Sequence, residues 1–329
     1  MNPSALDVLL LAVAFDLIMG EPPARIHPVV WIGKLIAVLR ARARPTRAYG
    51  AALAVAVIIT TVLAGHLLVW AVGLISLPPL PFIPKPIPNI PFPTSASTIP
   101  LLSILVSAYL LKSTFAVRCL LQVSTDIGRM IDRDMEEAKN MLPALVGRET
   151  SGLTRAQATS AVIESLSENY VDSILSPLFY FLLFAPLGLG LEAALAFKAV
   201  STMDSMLGYK TKGLKDLGFA AARSDDVANY IPARLSILFM ALARPTRSGA
   251  ILKTAFRDHS RTPSPNSGWP MAGCAGALGV RLEKIGFYVL GDEGKQPETS
   301  DIPKAVGFME RVIAITGAAS ALLLLLQQL

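Results

Sequence analysis

Apolar residues along this chain run in long blocks separated by polar ones. The first block, residues 4–20, is interrupted by Asp7 and Asp16. The second, residues 48–77, lies in a stretch from 48 to 84 that contains no Asp, Glu, Lys or Arg. A helix that crosses a bilayer needs about 20 apolar residues, so both blocks are predicted spans. As a helix rising 1.5 Å per residue, the second would measure ~45 Å; it therefore tilts or protrudes. A third span is expected over 99–121, with Lys112 and Arg118 able to snorkel to the headgroups, and a last one over 305–326. Residues 173–203 read as an apolar hairpin of two short arms broken between Pro186 and Gly190, an excursion returning to the side it left. Residues 78–100 hold nine prolines. Proline lacks the N–H donor, so a polyproline-like loop on the outer face is expected there. Residues 122–172 are polar and largely helical, with Thr154 and Gln157 spaced as a capping box. Residues 204–304 are mostly polar, apart from a weak apolar stretch at 235–243. The pattern predicts an all-α, multi-pass integral membrane protein. It forms one membrane-embedded domain over 1–329, with large cytoplasmic helical and loop segments at 21–47, 122–172 and 204–304.

Composition sharpens this picture. Hydrophobic residues make up 53% of the chain and charged residues 16%, against about 25% charged in a soluble domain. Mean hydropathy is +0.52. These values disfavour a soluble enzyme and a disordered chain. Two distant cysteines, Cys119 and Cys274, give no disulfide framework. The net charge of +6 is no sign of a nucleic-acid partner. Residues 21–47 carry six cations and one acid, as expected of a cytoplasmic segment of a cell-membrane protein. Residues 1–20 contain no Lys or Arg, so they read as an uncleaved first span and not as a signal peptide.

The acids are the informative polar residues. Glu164, Glu168 and Asp172 lie at i, i+4 and i+8 and would form one helix stripe just before an apolar run. Carboxylates at a membrane boundary usually face a cavity, although a solvated helix face is the bland alternative. Such hard oxygen donors suit Mg²⁺. A second cluster holds Arg223, Asp225, Asp226, Asn229 and Arg234. Ser224 could cap a helix with both acids in its first turn, while Pro232 should break the helix. Arginine suits bidentate binding of phosphate or carboxylate. Asp204 sits between Lys198 and Lys210, where an ordinary ion pair is the simpler reading. Asp258 and His259 precede Ser264, Pro265, Asn266, Gly268, Trp269 and Pro270, a rigid loop expected to expose its Trp. Glu21, His27 and Pro28 follow the first span. His66 reads as helix packing or a backbone hydrogen bond. Gly188, Gly190 and Ala193 fit G-x-G-x-x-A but lack a preceding strand, so they read as a helix break.

Taken in order, these blocks resemble the CobD/CbiB family of cobalamin biosynthesis. The matching positions are Asp16, Gly20-Glu21-Pro22 and His27-Pro28-Val29, then Gly147-Arg148-Glu149-Thr150 and Glu164 through Asn169 to Asp172. Further blocks are Thr202, Asp204-Ser205-Met206 and Gly208-Tyr209-Lys210, then Arg223 through Arg234, and Ser264 through Pro270. The resemblance implies an adenosylcobinamide-phosphate synthase. It would join a propionate of adenosylcobyric acid to aminopropanol or its phosphate in an ATP-dependent amide ligation at the membrane. It also implies a corrinoid substrate and association with other membrane enzymes of the pathway.

An amide does not form from a carboxylate and an ammonium at neutral pH without activation as an acyl phosphate or adenylate, which calls for Mg²⁺ and charge neutralisation. On this reading Glu164, Glu168, Asp172, Asp225 and Asp226 are the metal candidates. Lys210, Arg223 and Arg234 clamp phosphate, and His259 or an Asp accepts the amine proton. Asn169, Asp204, Asn229, Asn266 and Trp269 are candidates for binding ATP and substrate, with Trp269, Tyr209 and the apolar hairpin meeting the corrin ring. No nucleotide-binding fingerprint is present. A transporter would use the same carboxylates for ions, and a Mg²⁺-dependent membrane transferase would use them for diphosphate. A sensor relative without activity should have lost them.

Overall fold

The computed structural model describes residues 4–74, 101–147, 149–208 and 214–327. The proline-rich segment 78–100, Arg148, Tyr209 and Lys210 lie outside them. Fourteen helices are described. The first seven are α1 (Ala5–Met19), α2 (Pro28–Ala41), α3 (Arg47–Gly73), α4 (Leu101–Lys112), α5 (Val117–Arg133), α6 (Met135–Met141) and α7 (Arg155–Tyr170). The others are α8 (Ser176–Phe184), α9 (Gly190–Leu207), α10 (Phe219–Ala228), α11 (Tyr230–Ala243), α12 (Ser248–Asp258), α13 (Gly268–Leu278) and α14 (Asp301–Leu326). A short antiparallel pair, β1 (Leu282–Lys284) and β2 (Tyr288–Leu290), sets Lys284 opposite Tyr288. The described residues are all-α apart from this hairpin.

Local chemistry starts several helices. Thr46 accepts from the Tyr49 N–H at the start of α3, and Asp134 accepts from Glu136 and Glu137 at α6. Thr154 and Gln157 form the expected capping box at α7.

Four helical runs are long and apolar enough to cross a membrane: Arg47–Gly73, Leu101–Arg133, Arg155–Leu187 and Asp301–Leu326. Helix α1 has 15 residues, below the length a span needs. Two expectations are corrected. Residues 122–172 are not one polar segment, because α5 prolongs the third run and α7 begins the next. Residues 173–203 are not a hairpin of two short arms, because the first arm ends a helical run of 33 residues that began at Arg155. The acids of α7 had disguised it. One face of the helix carries them, while Ala158, Ala161, Val162, Ile163 and Leu166 are buried around the rest.

That run is not regular. Val171–Leu175 forms a π-helical turn, an insertion frequently found at functional sites. Pro177 lacks the N–H that would pair with the Ser173 carbonyl. The Ser173 oxygen instead accepts from the Ala116 N–H at 3.1 Å, which ties the bend to the junction of α4 and α5.

The main core joins α1, α4, α5, α7, α8, α11, α13 and α14, around Leu111, Ile127, Leu166, Tyr170 and Phe308. A second cluster packs α2 and α3 on α9 through Ile36, Val57, Met203 and Leu207. The ends of α9 and α10, the π-helical turn and the loop before α13 meet between them.

Candidate active site

Four segments far apart in sequence line one cavity of about 280 Å³. Glu168 and Asp172 come from α7 and the π-helical turn, Asp204 from the last turn of α9, and Asp225, Asp226 and Asn229 from the end of α10. Ser264, Asn266 and Ser267 close it from the loop before α13, and Pro270 from the first turn of that helix. The structure thus gathers four of the five proposed metal ligands. It adds Asp204, for which an ordinary ion pair with a lysine had been the simpler reading.

Glu164 lies elsewhere. It accepts from Ser160 Oγ at 2.6 Å and from the Tyr288 hydroxyl at 2.8 Å, while Ser160 also accepts from the Glu283 N–H. It fastens α7 to the hairpin and is not among the residues that line the cavity. Asn169 donates to the Ser165 carbonyl one turn back and does not line the cavity either.

Helix α10 starts at Phe219, after Gly218. Ser224 is therefore no cap, and Asp225 and Asp226 sit in the last turn of the helix, not its first. The break falls at Asn229, and Pro232 is accommodated in the first turn of α11, where a missing N–H costs least. Asn229 is 1% exposed. Its Oδ1 accepts from Ser176 Oγ at 2.6 Å and its Nδ2 donates to Asp225 Oδ2 at 2.9 Å, which fixes one carboxylate of the cavity. Asn266 Nδ2 donates to the Asp226 carbonyl at 2.7 Å and its Oδ1 accepts from Arg234 at 3.4 Å.

Crowded acids shift one another. Burial, then the neighbouring Asp204, pushes Asp225 up to about 7, against the hydrogen bond from Asn229 that favours its charged form. Burial and then Asp226 raise Asp204 as well. Like charges packed this closely hold protons unless a cation neutralises them. The donors are all hard oxygens, as Mg²⁺ prefers. Among the described residues, no three His, Cys, Asp or Glu side chains form a preassembled metal cage.

A second cavity of about 690 Å³ adjoins the first and shares Ala222, Asp226, Pro263 and Ser264 with it. Arg47, Lys215, Arg223, Arg234 and His259 line it, together with Phe219. Arg223 pairs with Asp226 at 3.6 Å. The Arg234 guanidinium lies over the Tyr230 ring at 3.4 Å and donates to the Tyr230 carbonyl.

Trp269 is not exposed as expected. It is 7% exposed, stacked on the His259 ring with centroids 4.0 Å apart and met edge-on by Phe256. The loop turns back because Gly268 lies against the His259 carbonyl, where a Cβ would collide. Partial burial and Arg234 together lower the pKa of His259, which favours its neutral form. Asp258, 0% exposed, anchors the loop by accepting from Arg257 and from the Gly291 N–H and by pairing with Arg261.

The motif that follows α1 forms a different assembly. Lys112 Nζ reaches Glu21 at 2.6 Å and Asp16 at 3.3 Å. His27 meets Glu21 at 2.8 Å, and Asp16 accepts from the Arg118 N–H at 2.9 Å. Burial would raise Glu21, but the bonds from His27 and Lys112 hold it below the ordinary carboxylate range. This network ties α1 and its following loop to α4 and α5. His66, expected to serve packing or a backbone bond, instead reaches Glu192 on α9 at 2.8 Å.

Sequence reasoning missed Arg47, Lys215 and Phe219. Nothing in their local pattern separates Arg47 and Lys215 from other cations beside a membrane, and only the packing of α3 near α10 brings them to the cavity.

A profile of the family described as CobD/Cbib protein matches residues 9–314. Among curated proteins, the chain is 49% identical over 323 residues to a probable cobalamin biosynthesis protein CobD of Methanothrix thermoacetophila, covering 97% of each. It is 38% identical to the probable cobalamin biosynthesis protein CobD of Methanothermobacter thermautotrophicus, over 88% of each. It is 37% identical to the cobalamin biosynthesis protein CobD of Klebsiella pneumoniae, over 96% of this chain and 94% of that one. No solved structure matches the chain.

Proposed function

This chain belongs to the CobD/CbiB family, and on that premise we propose that it is a membrane enzyme of cobalamin biosynthesis. The reaction is the ATP-dependent joining of a propionate of adenosylcobyric acid to the amine of aminopropanol or its phosphate. The observation that carries this reading is the pair of cavities with a common wall. Acids from three chain segments crowd one, cations line the other, and Asp226 and Ser264 belong to both.

An amide ligation needs that juxtaposition. The substrate carboxylate takes a phosphoryl or adenylyl group from ATP, with ADP or pyrophosphate leaving. The amine then attacks the activated carbonyl, displaces phosphate or AMP, and gives up one proton. Arg223 and Arg234 bind and neutralise the phosphate oxygens. A divalent ion would be held by one or two of the carboxylates Glu168, Asp172, Asp225 and Asp226 together with substrate phosphates, with Asp204 beside them. When bound, Mg²⁺ would offset charge at the transferred group. The acids also attract the acceptor ammonium, and His259, whose neutral form is favoured, takes the proton released on amide formation. The excess of cations in residues 21–47 supports a cytoplasmic nucleotide side.

The test is an assay of purified protein with adenosylcobyric acid, aminopropanol phosphate, ATP and Mg²⁺, following the corrinoid mass. The mass should rise by one acceptor less water. Glu168→Ala and Asp226→Ala should abolish the change while leaving membrane insertion intact. Full activity in both variants would remove the carboxylates from the reaction.

A further inference from the structure

Two cations of the larger cavity, Arg47 and Lys215, belong to none of the motif blocks. Arg47 opens α3 directly after its Thr46 cap. Its guanidinium lies 4.5 Å from the centroid of the Phe219 ring, and that of Arg223 lies 5.7 Å from the same ring. Phe219 is thus an aromatic face with two guanidinium groups against it, on the wall of a cavity that Lys215 and Arg234 also line. Arg47 pairs with Asp216 at 3.0 Å, but both side chains are more than half exposed. Such a pair contributes little and yields readily to a stronger anion.

Charge and size divide the two cavities between ligands. The smaller, about 280 Å³ and rich in carboxylates, repels phosphates and falls short of the ~300–1,000 Å³ usual for ligands of drug size. The larger, about 690 Å³, falls inside that range and carries four cationic side chains. A polyanion with an aromatic base belongs in the second and meets the acids only at the shared wall.

We propose that Arg47, Lys215, Arg223 and Arg234 form the nucleotide site, taking the triphosphate with the base against Phe219, so that a phosphoryl group reaches the wall of Asp226 and Ser264. This rests on the ligation reading above and adds its nucleotide site, with Arg47 and Lys215 as binding residues.

The experiment titrates full-length protein in nanodiscs with mant-ATP and Mg²⁺ in the absence of corrinoid. Wild type binds, and inorganic tripolyphosphate displaces the probe. Arg47→Gln and Lys215→Gln each weaken binding about tenfold, the loss of ~1.4 kcal/mol expected for one charged contact, with unchanged melting temperatures. If the double variant binds as wild type does, this inference falls and the ligation reading stands. If wild type binds no nucleotide at all, the ligation reading falls too. If the loss appears only in nanodiscs of anionic lipid, these cations serve lipid headgroups, and the nucleotide assignment is overturned.

Discussion

Asn229→Ala tests the electrostatics of the acidic cavity most sharply. Asn229 donates to Asp225 and accepts from Ser176, and Asp225 stands at about 7 with that bond in place. A hydrogen bond to a charged group contributes about 1.5–3 kcal/mol, and one pH unit in a pKa corresponds to ~1.36 kcal/mol. Losing the bond should therefore raise Asp225 by about one to two pH units. The ionised fraction at pH 7 then falls from roughly one half to between ~10% and ~1%, a loss of about 5- to 50-fold in kcat/KM on the same scale. The loss should be largely recovered near pH 9. The assay is the initial rate of corrinoid ligation from pH 6 to 9.5, read as kcat/KM, which reports groups of the free enzyme. Ser176→Ala leaves the bond between Asn229 and Asp225 in place and should keep the wild-type profile. An Asn229→Ala profile that matches wild type, or one depressed equally at every pH, would refute the reasoning.

Three further outcomes follow. Gly208→Ala would drive a Cβ against the Asp204 carboxylate and carbonyl; it should lower kcat/KM at least tenfold by displacing Asp204, and an unchanged value would remove Asp204 from the site. Lys112→Met leaves Asp16 buried without its counter-charge at a cost of about 3–5 kcal/mol; it should deplete folded protein in membranes, and Asp16→Asn in the same chain should restore part of it. Asp225 binds its proton more tightly in the folded chain than the ordinary value of 3.8 allows, so metal-free protein loses stability as pH rises from about 4 through 7. Asp225→Asn should flatten that fall in melting temperature, and an equally steep fall would contradict the assignment.

The membrane class was legible because it needs only uninterrupted apolar length, which 48–84 displays without any fold. Glu168, Asp172, Asp225 and Asp226, which the structure brings to one cavity, were legible as candidates because like charges beside apolar runs have few structural uses. Which of them meet was not. Glu164 shares the spacing of Glu168 and Asp172, yet the Tyr288 hydroxyl, 124 residues away in sequence, claims it. Trp269 reads as a loop aromatic until the chain turns back and seals it beneath His259. Arg47 and Phe219 meet through packing that no local window contains. The run from Arg155 to Leu187 escaped notice because hydropathy averages the acids of its inner face with the apolar residues around them.

The central claim is that carboxylates from α7, the π-helical turn and α10 hold one divalent ion beside the phosphate site. Electron paramagnetic resonance of Mn²⁺ titrated into the purified protein with ADP tests it directly. One tightly bound ion per chain is predicted in wild type and in Asn169→Ala, and loss of that ion in Asp172→Asn and Asp226→Asn. Equal Mn²⁺ binding in all four proteins would contradict the account.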